Sequence, residues 1–297
     1  MTGAERGFLL LTSSFGDPAR KPLTKAQFRT LAARARRMEP EQGDRALTLD
    51  DLLKIGCAPD TARRILELLS QEDRLDSYLA AARRQECRPV TWAHGSYPSL
   101  LRRRLGDESP GCLWAKGALS ILDSPAVGVV GSRNASPESL EFAREAGRQA
   151  ARQGFTLISG NARGVDIAAQ EACLEAGGKV IAVVADCLQD QKARENCLYL
   201  SEECFDSPFS PRRALSRNRV IHAMGRAVLA VQPAMGEGGT WDGCINNLRS
   251  GRSPVFCFAD GSEASMALEK LGAELIPAAA LCCMKDLFSR QCNLFDQ

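Results

Sequence analysis

The sequence lacks any apolar run long enough to cross a membrane, and the short apolar patch Phe8–Leu11 is not accompanied by the other parts of a signal peptide. Histidine is scarce, with two residues, and none of the twelve cysteines belongs to a CxxC pair. A zinc site is therefore not expected, and the cysteines are predicted to be reduced and mostly buried. Together these absences predict a cytoplasmic protein without a metal site.

Two common phosphate-binding motifs are also missing. Neither GxGxxG nor GxxxxGK(S/T) occurs, so the chain has neither the standard dinucleotide-binding motif nor the Walker ATPase motif. No Ser-His-Asp or Cys-His arrangement is supported by spacing. Asp166, Glu237 and Asp242 are carboxylates that could act as acid and base, but nothing in the sequence brings them together. The sequence therefore predicts neither catalytic residues nor a cofactor.

The formal net charge of +2 does not by itself predict a polyanionic partner, but its distribution is uneven. Residues 1–105 contain 19 Lys and Arg against 13 Asp and Glu, and the remaining residues contain 19 against 23. The basic excess lies in residues 20–37 and in Arg102–Arg104. Such charge runs usually form solvated faces, and contact with nucleic acid is the alternative.

Apolar segments alternate with helical patterns through most of the chain. The run Ala126–Val130 is continuous and apolar, as expected for a parallel strand buried on both faces. Ser136 and Pro137 then suit the start of a helix, which Gly154 ends. The other predicted strands are Val90–Trp92, Leu113–Lys116, Phe155–Ile158, Lys179–Ala185, Ala227–Val231, Pro254–Phe258 and Ala273–Ile276. This alternation predicts a doubly wound α/β domain with a mostly parallel sheet.

Two parts of the chain have a different pattern. Residues 186–211 are polar and poorly periodic, and they predict a loop with a short helix and room for a strand. The N-terminal residues are helical in pattern, with a capping box at Thr24 and Gln27, a short helix Asp50–Gly56 and a further helix that begins near Pro59. Such a helix pair can approach a nucleic-acid backbone, or it can serve only to position the sheet domain.

Three loops and one helix carry the candidate binding residues. In an open parallel sheet, ligands bind beyond the carboxyl ends of the strands, where loops rich in glycine, hydroxyl groups and arginine suit phosphate. The loop residues are Gly131, Ser132 and Arg133, then Ser159, Gly160, Arg163 and Gly164, then Gly239 and Thr240, and the helix adds Arg217, Asn218 and Arg219. Asp166 is predicted to be a first-turn helix anion, an acceptor for a sugar or a clamp on Arg163. A phosphate-binding crevice is therefore expected.

The segments PAVGVVGSRNASPES, LISGNARGVDIAAQEACLEAGGKVIAVVA and SRNRVIHAMGRAVLAV resemble the Rossmann-like core of the DprA/Smf DNA-processing proteins, and RPVTWAHGSYPSLLRRRL resembles the segment before that core. The resemblance covers residues 88–277. It implies single-stranded DNA binding, a homodimer, and loading of the RecA recombinase onto DNA during transformation. The family's pocket motifs fall on the two arginine-bearing loops, with Asp166, and on Arg217–Arg219.

The chain departs from the family pattern in three places. Cys187–Gln191 replaces a Tyr-Pro-x-x-Asn stretch, and about twenty residues follow Pro277 where many members have a winged helix. Gly236–Gly243 replaces the family's G-S-G/L-x-T-A turn and resembles the Gly-rich loop of LOG-type nucleotide phosphoribohydrolases. A nucleotide-processing enzyme and a nucleotide-sensing module are therefore the alternative functions. The expected organisation is a small helical domain at 1–86, a connecting segment at 87–122, a Rossmann-like domain at 123–277 and a C-terminal tail at 278–297.

Overall fold

The computed structural model describes residues 1–36 and 46–295, so Arg37, the last residue of the basic stretch 20–37, lies outside the described residues. The described strands are β1 Cys87–Thr91, β2 Cys112–Lys116, β3 Ala126–Gly131, β4 Thr156–Ser159, β5 Lys179–Val183, β6 Cys197–Ser201, β7 Gly225–Val231, β8 Val255–Phe258 and β9 Glu274–Ile276. The described helices are α1 Gly3–Thr12, α2 Lys25–Ala35, α3 Leu49–Lys54, α4 Pro59–Leu69, α5 Glu72–Arg84, α6 Ser99–Leu105, α7 Pro137–Arg152, α8 Val165–Glu175, α9 Pro211–Met224, α10 Gly238–Ser250, α11 Glu263–Lys270 and α12 Met284–Phe295.

All nine described strands form one sheet in the order β1-β2-β6-β5-β4-β3-β7-β8-β9. Neighbouring strands from β6 to β9 in this order are parallel, and β2 pairs antiparallel with both β1 and β6. Helices α7 and α8 cover one face, while α9, α10 and α11 cover the other. The predicted fold, a doubly wound α/β domain with a mostly parallel sheet, is confirmed.

The central strand β3 sets the position of the binding edge. Its residues are apolar on both sides, with Val127 and Val129 fully buried toward α7 and α8, and Val130 buried toward α9. The helix that follows β3 covers one face of the sheet, and the helix that follows the adjacent β7 covers the other. The loops after β3 and β7 therefore diverge and leave a crevice at the carboxyl edge, as open α/β sheets do at such a switch point.

Helices α7 and α8 pack closely together because their contact surface is made of small residues. Ala143, Ala146 and Ala150 are fully buried on α7. A β-carbon on Gly147 would overlap the carbonyl oxygen of Ala169 in α8, so glycine is required there. This close contact holds α8 firmly, and the loop that opens α8 is part of the candidate site.

The stretch 186–211 differs from the prediction in its helix: residues 186–210 form none, and α9 begins only at Pro211. The strand for which the prediction left room is β6, whose five residues are all buried. The preceding residues are polar, and Asn196 has a positive φ of 56° that turns the chain into the strand. A five-residue run between polar loops shows too little periodicity to predict a strand with certainty, so the tertiary pairing with β5 and β2 decides it.

The N-terminal residues contain the predicted helices and two more. The Thr24 hydroxyl accepts a hydrogen bond from the Gln27 amide at 3.2 Å, which confirms the capping box of α2. Helices α3 and α4 also lie where they are expected. Helices α1 and α5 are additions, and α1 contains the patch Phe8–Leu11, whose continuous apolar residues show no helical period.

The apolar core is shared between the N-terminal helices and the sheet. Tyr78 of α5 packs edge-on against Trp114 of β2, with ring centroids 5.6 Å apart, and its hydroxyl donates to Asp206 at 2.8 Å. Leu9 and Leu10 of α1 belong to the same buried cluster. These contacts favour the interpretation that the N-terminal helices position the sheet domain. The domain boundaries near residues 86 and 122 stay predictions.

The residues after β9 pack back onto the sheet domain. A 3-10 segment, Ala278–Cys283, leads into α12, and Leu281, Met284 and Phe288 are buried. The Phe288 ring contacts Phe155 with a centroid distance of 5.5 Å. Across the part of the chain that the structure describes, no helix has the length and apolar character needed to span a membrane.

His222 of α9 is buried beneath α10, where a β-carbon on Gly243 would lie 2.9 Å from the histidine Nε2. Neither ring nitrogen has a hydrogen-bond partner among the described residues. Burial, with the positive charge of Arg252 as the second cause, lowers the pKa of His222 to about 4. The imidazole is therefore neutral in the folded protein at neutral pH.

We predict that His222 makes the protein less stable as the pH falls from 6.5 to about 4. The unfolded chain takes up a proton on this side chain near the ordinary histidine pKa, whereas the folded protein does so only near the lower value. Acid therefore favours the unfolded state by about 1.4 kcal/mol per pH unit within this interval. Urea unfolding across the interval measures the slope, and His222→Gln should reduce it. An equal slope in both proteins would contradict the prediction.

Candidate nucleic-acid interface

The first loop leaves the carboxyl end of β3 and is held by backbone contacts. Gly131 cannot carry a side chain, because a β-carbon would lie 2.6 Å from both the Val165 side chain and the carbonyl oxygen of Val231. The Ser132 amide donates to the same Val231 oxygen at 3.2 Å. The Ser132 hydroxyl accepts from the Asn134 amide at 3.1 Å, so this hydroxyl shapes the turn.

The second loop packs directly against the first. Gly164 has a φ of 88°, and a β-carbon there would overlap the carbonyl oxygen of Ser132. The same oxygen accepts from the Val165 amide at 3.2 Å. Glycine is required at position 164 for both its conformation and this close approach. The two loops therefore form one unit whose shape is set by backbone contacts.

Two arginines extend outward from this unit. Arg133 is exposed and has no hydrogen-bond or ion-pair partner among the described residues. Arg163 is also exposed, and its Nη2 donates to Asn134 Oδ1 at 2.5 Å. Asn134, which the sequence reasoning missed, thus holds one arginine beside the loop that carries the other. The only available signal for it was its position directly after the predicted loop.

Asp166 shapes the second loop from beneath. It is buried in the first turn of α8, and its Oδ2 accepts from the amides of Gly160 at 3.0 Å and Ala162 at 3.2 Å. Burial raises the pKa of its carboxyl group, and the positive charge of Arg217 opposes that shift. The predicted helix-turn anion is found, but the predicted clamp on Arg163 is wrong because that arginine bonds Asn134. A contact with a sugar stays a prediction.

Ser159 and Arg217 lie in the floor of the crevice. The buried Ser159 hydroxyl accepts from Gln170 Nε2 at 2.5 Å. The guanidinium of Arg217 is buried, and its Nη1 donates to the carbonyl oxygens of Gly160 and Val183 at the ends of β4 and β5. Burial lowers the pKa of this arginine, and the nearby Asp166 opposes the shift. Both side chains therefore support the loop, and the phosphate contacts predicted for them remain untested.

The other two residues of the Arg-Asn-Arg motif also bond to the protein. Asn218 Nδ2 donates to the carbonyl oxygen of Gly239 at 2.8 Å, which holds the start of α10. Arg219 forms an ion pair with the partly buried Glu202 and donates to the carbonyl oxygen of Glu108. The guanidinium group of Arg219 was expected to face phosphate. In the structure it connects α9 to the segment that follows α6.

The third loop joins the first at the switch point. Thr240, in the first turn of α10, donates through its hydroxyl to the carbonyl oxygen of Gly131 at 3.0 Å. A β-carbon on Gly239 would lie 2.8 Å from Asn218 Nδ2, so glycine is needed for that contact. The structure therefore brings all three predicted loops to one edge of the sheet, with Arg133 and Arg163 exposed. Apart from Arg219, which bonds Glu202 and Glu108, the other motif residues lie beneath or between the loops.

A model of the family described as DNA recombination-mediator protein A matches residues 88–280, which is more than half of the chain. The chain belongs to this family. The match agrees with the DprA/Smf resemblance of the sequence, and it includes the three loops and the Arg-Asn-Arg motif. Members of the family are named DNA processing protein DprA or protein Smf in several bacteria.

Individual relatives are similar over part of their length. The Bacillus subtilis DNA processing protein DprA is 28% identical over 170 residues, which cover 54% of this chain and 57% of the relative. The Escherichia coli protein Smf is 32% identical over 140 residues, or 43% of this chain and 37% of the relative. The chain thus spans about half the length of the curated DprA/Smf relatives it matches, or less.

Solved structures of the family extend the comparison. The X-ray structure of Streptococcus pneumoniae DprA covers 95% of this chain and 96% of its own, with 26% identity and a TM-score of 0.70. The Helicobacter pylori DprA structure covers 71% of this chain and 97% of its own, with 22% identity and a TM-score of 0.54. The DprA fold therefore includes the helical N-terminal residues as well as the sheet.

The carboxylates considered for acid–base chemistry lie in different environments in this DprA/Smf family member. Asp166 is buried and bonded to backbone amides, whereas Glu237 and Asp242 are exposed. No hydrogen bond between any two of them occurs among the described residues. The described residues contain no group of three or more His, Cys, Asp and Glu side chains placed to hold a metal ion.

We predict that Arg217→Met destabilises the fold, because the carbonyl oxygens of Gly160 and Val183 lose their donor. Each buried acceptor left without a donor costs about 1–3 kcal/mol. Arg163→Ala should change the free energy of unfolding by no more than about 0.5 kcal/mol, as surface substitutions usually do. Urea unfolding of the two variants beside the unmodified protein measures both effects. Equal stability of all three proteins would show that Arg217 does not support the loop.

Proposed function

We propose that this protein binds single-stranded DNA in the crevice at the carboxyl edge of the sheet, with DNA phosphates against Arg133 and Arg163. The observation that carries the proposal is the pair of exposed guanidinium groups on two loops that pack directly together. Arg133 has no protein partner among the described residues, so its charge is available to a ligand. Guanidinium groups bind phosphate oxygens in planar, bidentate pairs.

Further positive charge surrounds the two arginines. Lys192 is exposed, and the neighbouring Gln191 accepts from Asn161 of the second loop at 3.2 Å, which places the lysine beside that loop. The first turn of α10 begins after Glu237, which makes no side-chain cap. Its amide groups, at the positive end of the helix dipole, suit an anion. The crevice therefore combines side-chain cations with a helix N-terminus.

Exposed apolar side chains favour a single strand over a duplex. Phe209 precedes α9, Leu215 lies in its first turns, and Met235 precedes α10, so all three lie at the carboxyl edge. Unpaired bases expose flat faces that stack on or pack against such side chains, whereas the bases of a duplex are enclosed. Phosphate contacts carry no sequence information, and binding is therefore expected to be largely independent of sequence.

Relatives of this chain support the same class of ligand. The Helicobacter pylori DprA structure is described for its unique single-stranded DNA binding mode. The family itself is described as a recombination mediator. By extension, we propose a role in DNA processing or recombination for this protein. A homodimer, a contact with RecA and a cytoplasmic location, which the sequence predicts, stay predictions.

We expect Arg133→Ala to weaken single-stranded DNA binding by about tenfold or more, since a charge-assisted contact contributes about 1.5–3 kcal/mol. The plot of log affinity against log salt concentration should also become shallower by about 0.7 for the lost phosphate contact. Arg163→Ala should have a similar effect. Arg163→Lys should recover part of the affinity, because lysine keeps the positive charge but lacks the planar guanidinium group that binds phosphate through two hydrogen bonds. Fluorescence anisotropy with an oligothymidylate at several salt concentrations measures these changes.

Arg249→Ala is the matched control, because Arg249 is an exposed arginine at the far end of α10. It should retain the affinity and the salt dependence of the unmodified protein. If Arg133→Ala and Arg163→Ala also retain both, DNA does not lie against these loops, and the proposed site is wrong.

The alternative function, hydrolysis of nucleoside monophosphates, makes an opposite prediction. We expect no release of ribose 5-phosphate from AMP, GMP or CMP above the rate in buffer, because Glu237 and Asp242 are exposed and Asp166 is bonded to backbone amides. A coupled assay of free ribose 5-phosphate measures this. Turnover that is abolished by Asp242→Asn would favour the phosphoribohydrolase alternative over a DNA-binding protein.

A further inference from the structure

A second cleft, of about 400 Å³, opens at the opposite, amino-terminal edge of the sheet. One wall is α6, and the other is the turn Leu122–Ala126 that leads into β3. Met224, at the end of α9, and Arg226, near the start of β7, also line it. Because β7 is seven residues long, about 20 Å of strand separate this cleft from the DNA crevice. The two sites are therefore distinct.

The charge of this cleft is opposite to that expected from its position. The carboxyl ends of the helices face this edge, and their carbonyl groups repel anions. Arg104 opposes this effect, since its Nη1 donates to the carbonyl oxygen of Ala223 in the last turn of α9 at 3.3 Å and to that of Gly225, the first residue of β7. Arg103 and Arg226 add two further cations, so the lining carries three arginines.

Arg226 is the cation most available to a ligand. It is exposed and has no hydrogen-bond or ion-pair partner among the residues that the structure describes. The carboxylate in the lining is that of Asp123, which is also exposed. Three arginines against one aspartate give the cleft a net positive charge. An anion is therefore the ligand that the electrostatics favour.

Apart from Ser99 and Ser124, the rest of the lining is apolar, and the size of the cleft limits that of the ligand. Pro98 and Leu122 are partly exposed and provide a surface on which a flat ring can pack, and the buried Ile181 and Met224 complete the apolar part of the lining. Small-molecule sites usually enclose about 300–1,000 Å³, so this cleft is suited to one nucleotide-sized molecule. A phosphate beside the arginines and a ring beside the apolar residues would satisfy both parts of the lining.

We propose that this cleft binds the phosphate monoester of a single nucleotide unit, with the phosphate against Arg226 and the base against the apolar wall. A free nucleoside monophosphate and the 5′-phosphorylated end of a DNA strand share this chemistry. The proposal does not depend on DNA binding at the carboxyl edge. It adds a second nucleotide site to the protein.

Calorimetric titration of the full chain with AMP tests the proposal. Saturable binding should be weakened at least tenfold by Arg226→Ala, since a charge-assisted contact to phosphate is lost. Ser124→Trp should have the same effect by filling the cleft, and its extended backbone, with a φ of −89°, accepts any side chain. Adenosine and inorganic phosphate should each bind more weakly than AMP. Thermal unfolding checks that both variants are folded.

Two further variants locate the bound nucleotide. Arg152→Ala removes an exposed arginine at the same edge of the sheet but on the opposite face, and it should leave AMP binding unchanged. Arg133→Ala, in the DNA crevice, should also leave it unchanged. The absence of saturable AMP binding would overturn the proposal. Loss of binding in Arg133→Ala with retention in Arg226→Ala would overturn it as well, by placing the nucleotide in the crevice.

Paired oligonucleotides distinguish the two sources of the phosphate. If strand ends occupy the cleft, a 5′-phosphorylated oligonucleotide should bind more tightly than its 5′-hydroxyl form, and Arg226→Ala should remove the difference. If the ligand is a free nucleotide, the two oligonucleotides should bind equally while AMP still binds. Failure of the DNA proposal would instead appear as unchanged single-stranded DNA affinity and salt dependence in Arg133→Ala and Arg163→Ala. The two proposals can therefore fail independently of each other.

Discussion

The buried guanidinium of Arg217 is the contact on which the candidate site depends. It lies beneath the second loop and joins the ends of β4 and β5 through the carbonyl oxygens of Gly160 and Val183. Only glycine at position 160 leaves space for it, since a β-carbon would overlap the guanidinium. A buried arginine with fixed acceptors holds the loop in one shape, and the loop can then present its own exposed arginine to a ligand.

The crevice therefore divides its polar residues into two groups. Arg217, Asn218 and Asp166 bond to backbone atoms and maintain the loops. Arg133 and Arg163 extend from those loops toward solvent. This division follows from the cost of burial, because a buried charge needs fixed partners, whereas an exposed charge keeps its hydration until a ligand arrives.

The two edges of the sheet acquire positive charge by different means. At the carboxyl edge, the helix N-termini already favour anions, and the loop arginines add to them. At the amino edge, helix C-termini would repel anions, and Arg104 donates to carbonyl oxygens at the junction of α9 and β7. The two proposed phosphate sites therefore lie at opposite ends of the same sheet, with β7 connecting them.

Much of the fold was predictable from local sequence. The buried run of β3, the cap Ser136 of α7 and the alternation of strands with helices are consequences of periodicity and capping, and they hold in the structure. Helix α1 and strand β6 were not clear, because a continuous apolar patch and a five-residue run have no distinctive period. The three loops at one edge were also predictable, since parallel strands end on the same side.

By itself, the sequence determined the family, the doubly wound sheet and the edge at which the loops meet. It did not determine which arginines face outward. Arg163, Arg217 and Arg219 are chemically identical and lie in similar polar contexts, yet only the first is exposed, while Arg217 bonds two strand ends and Arg219 pairs with Glu202. Those partners are distant in the chain, so the packing of α9 against the sheet decides the role of each side chain.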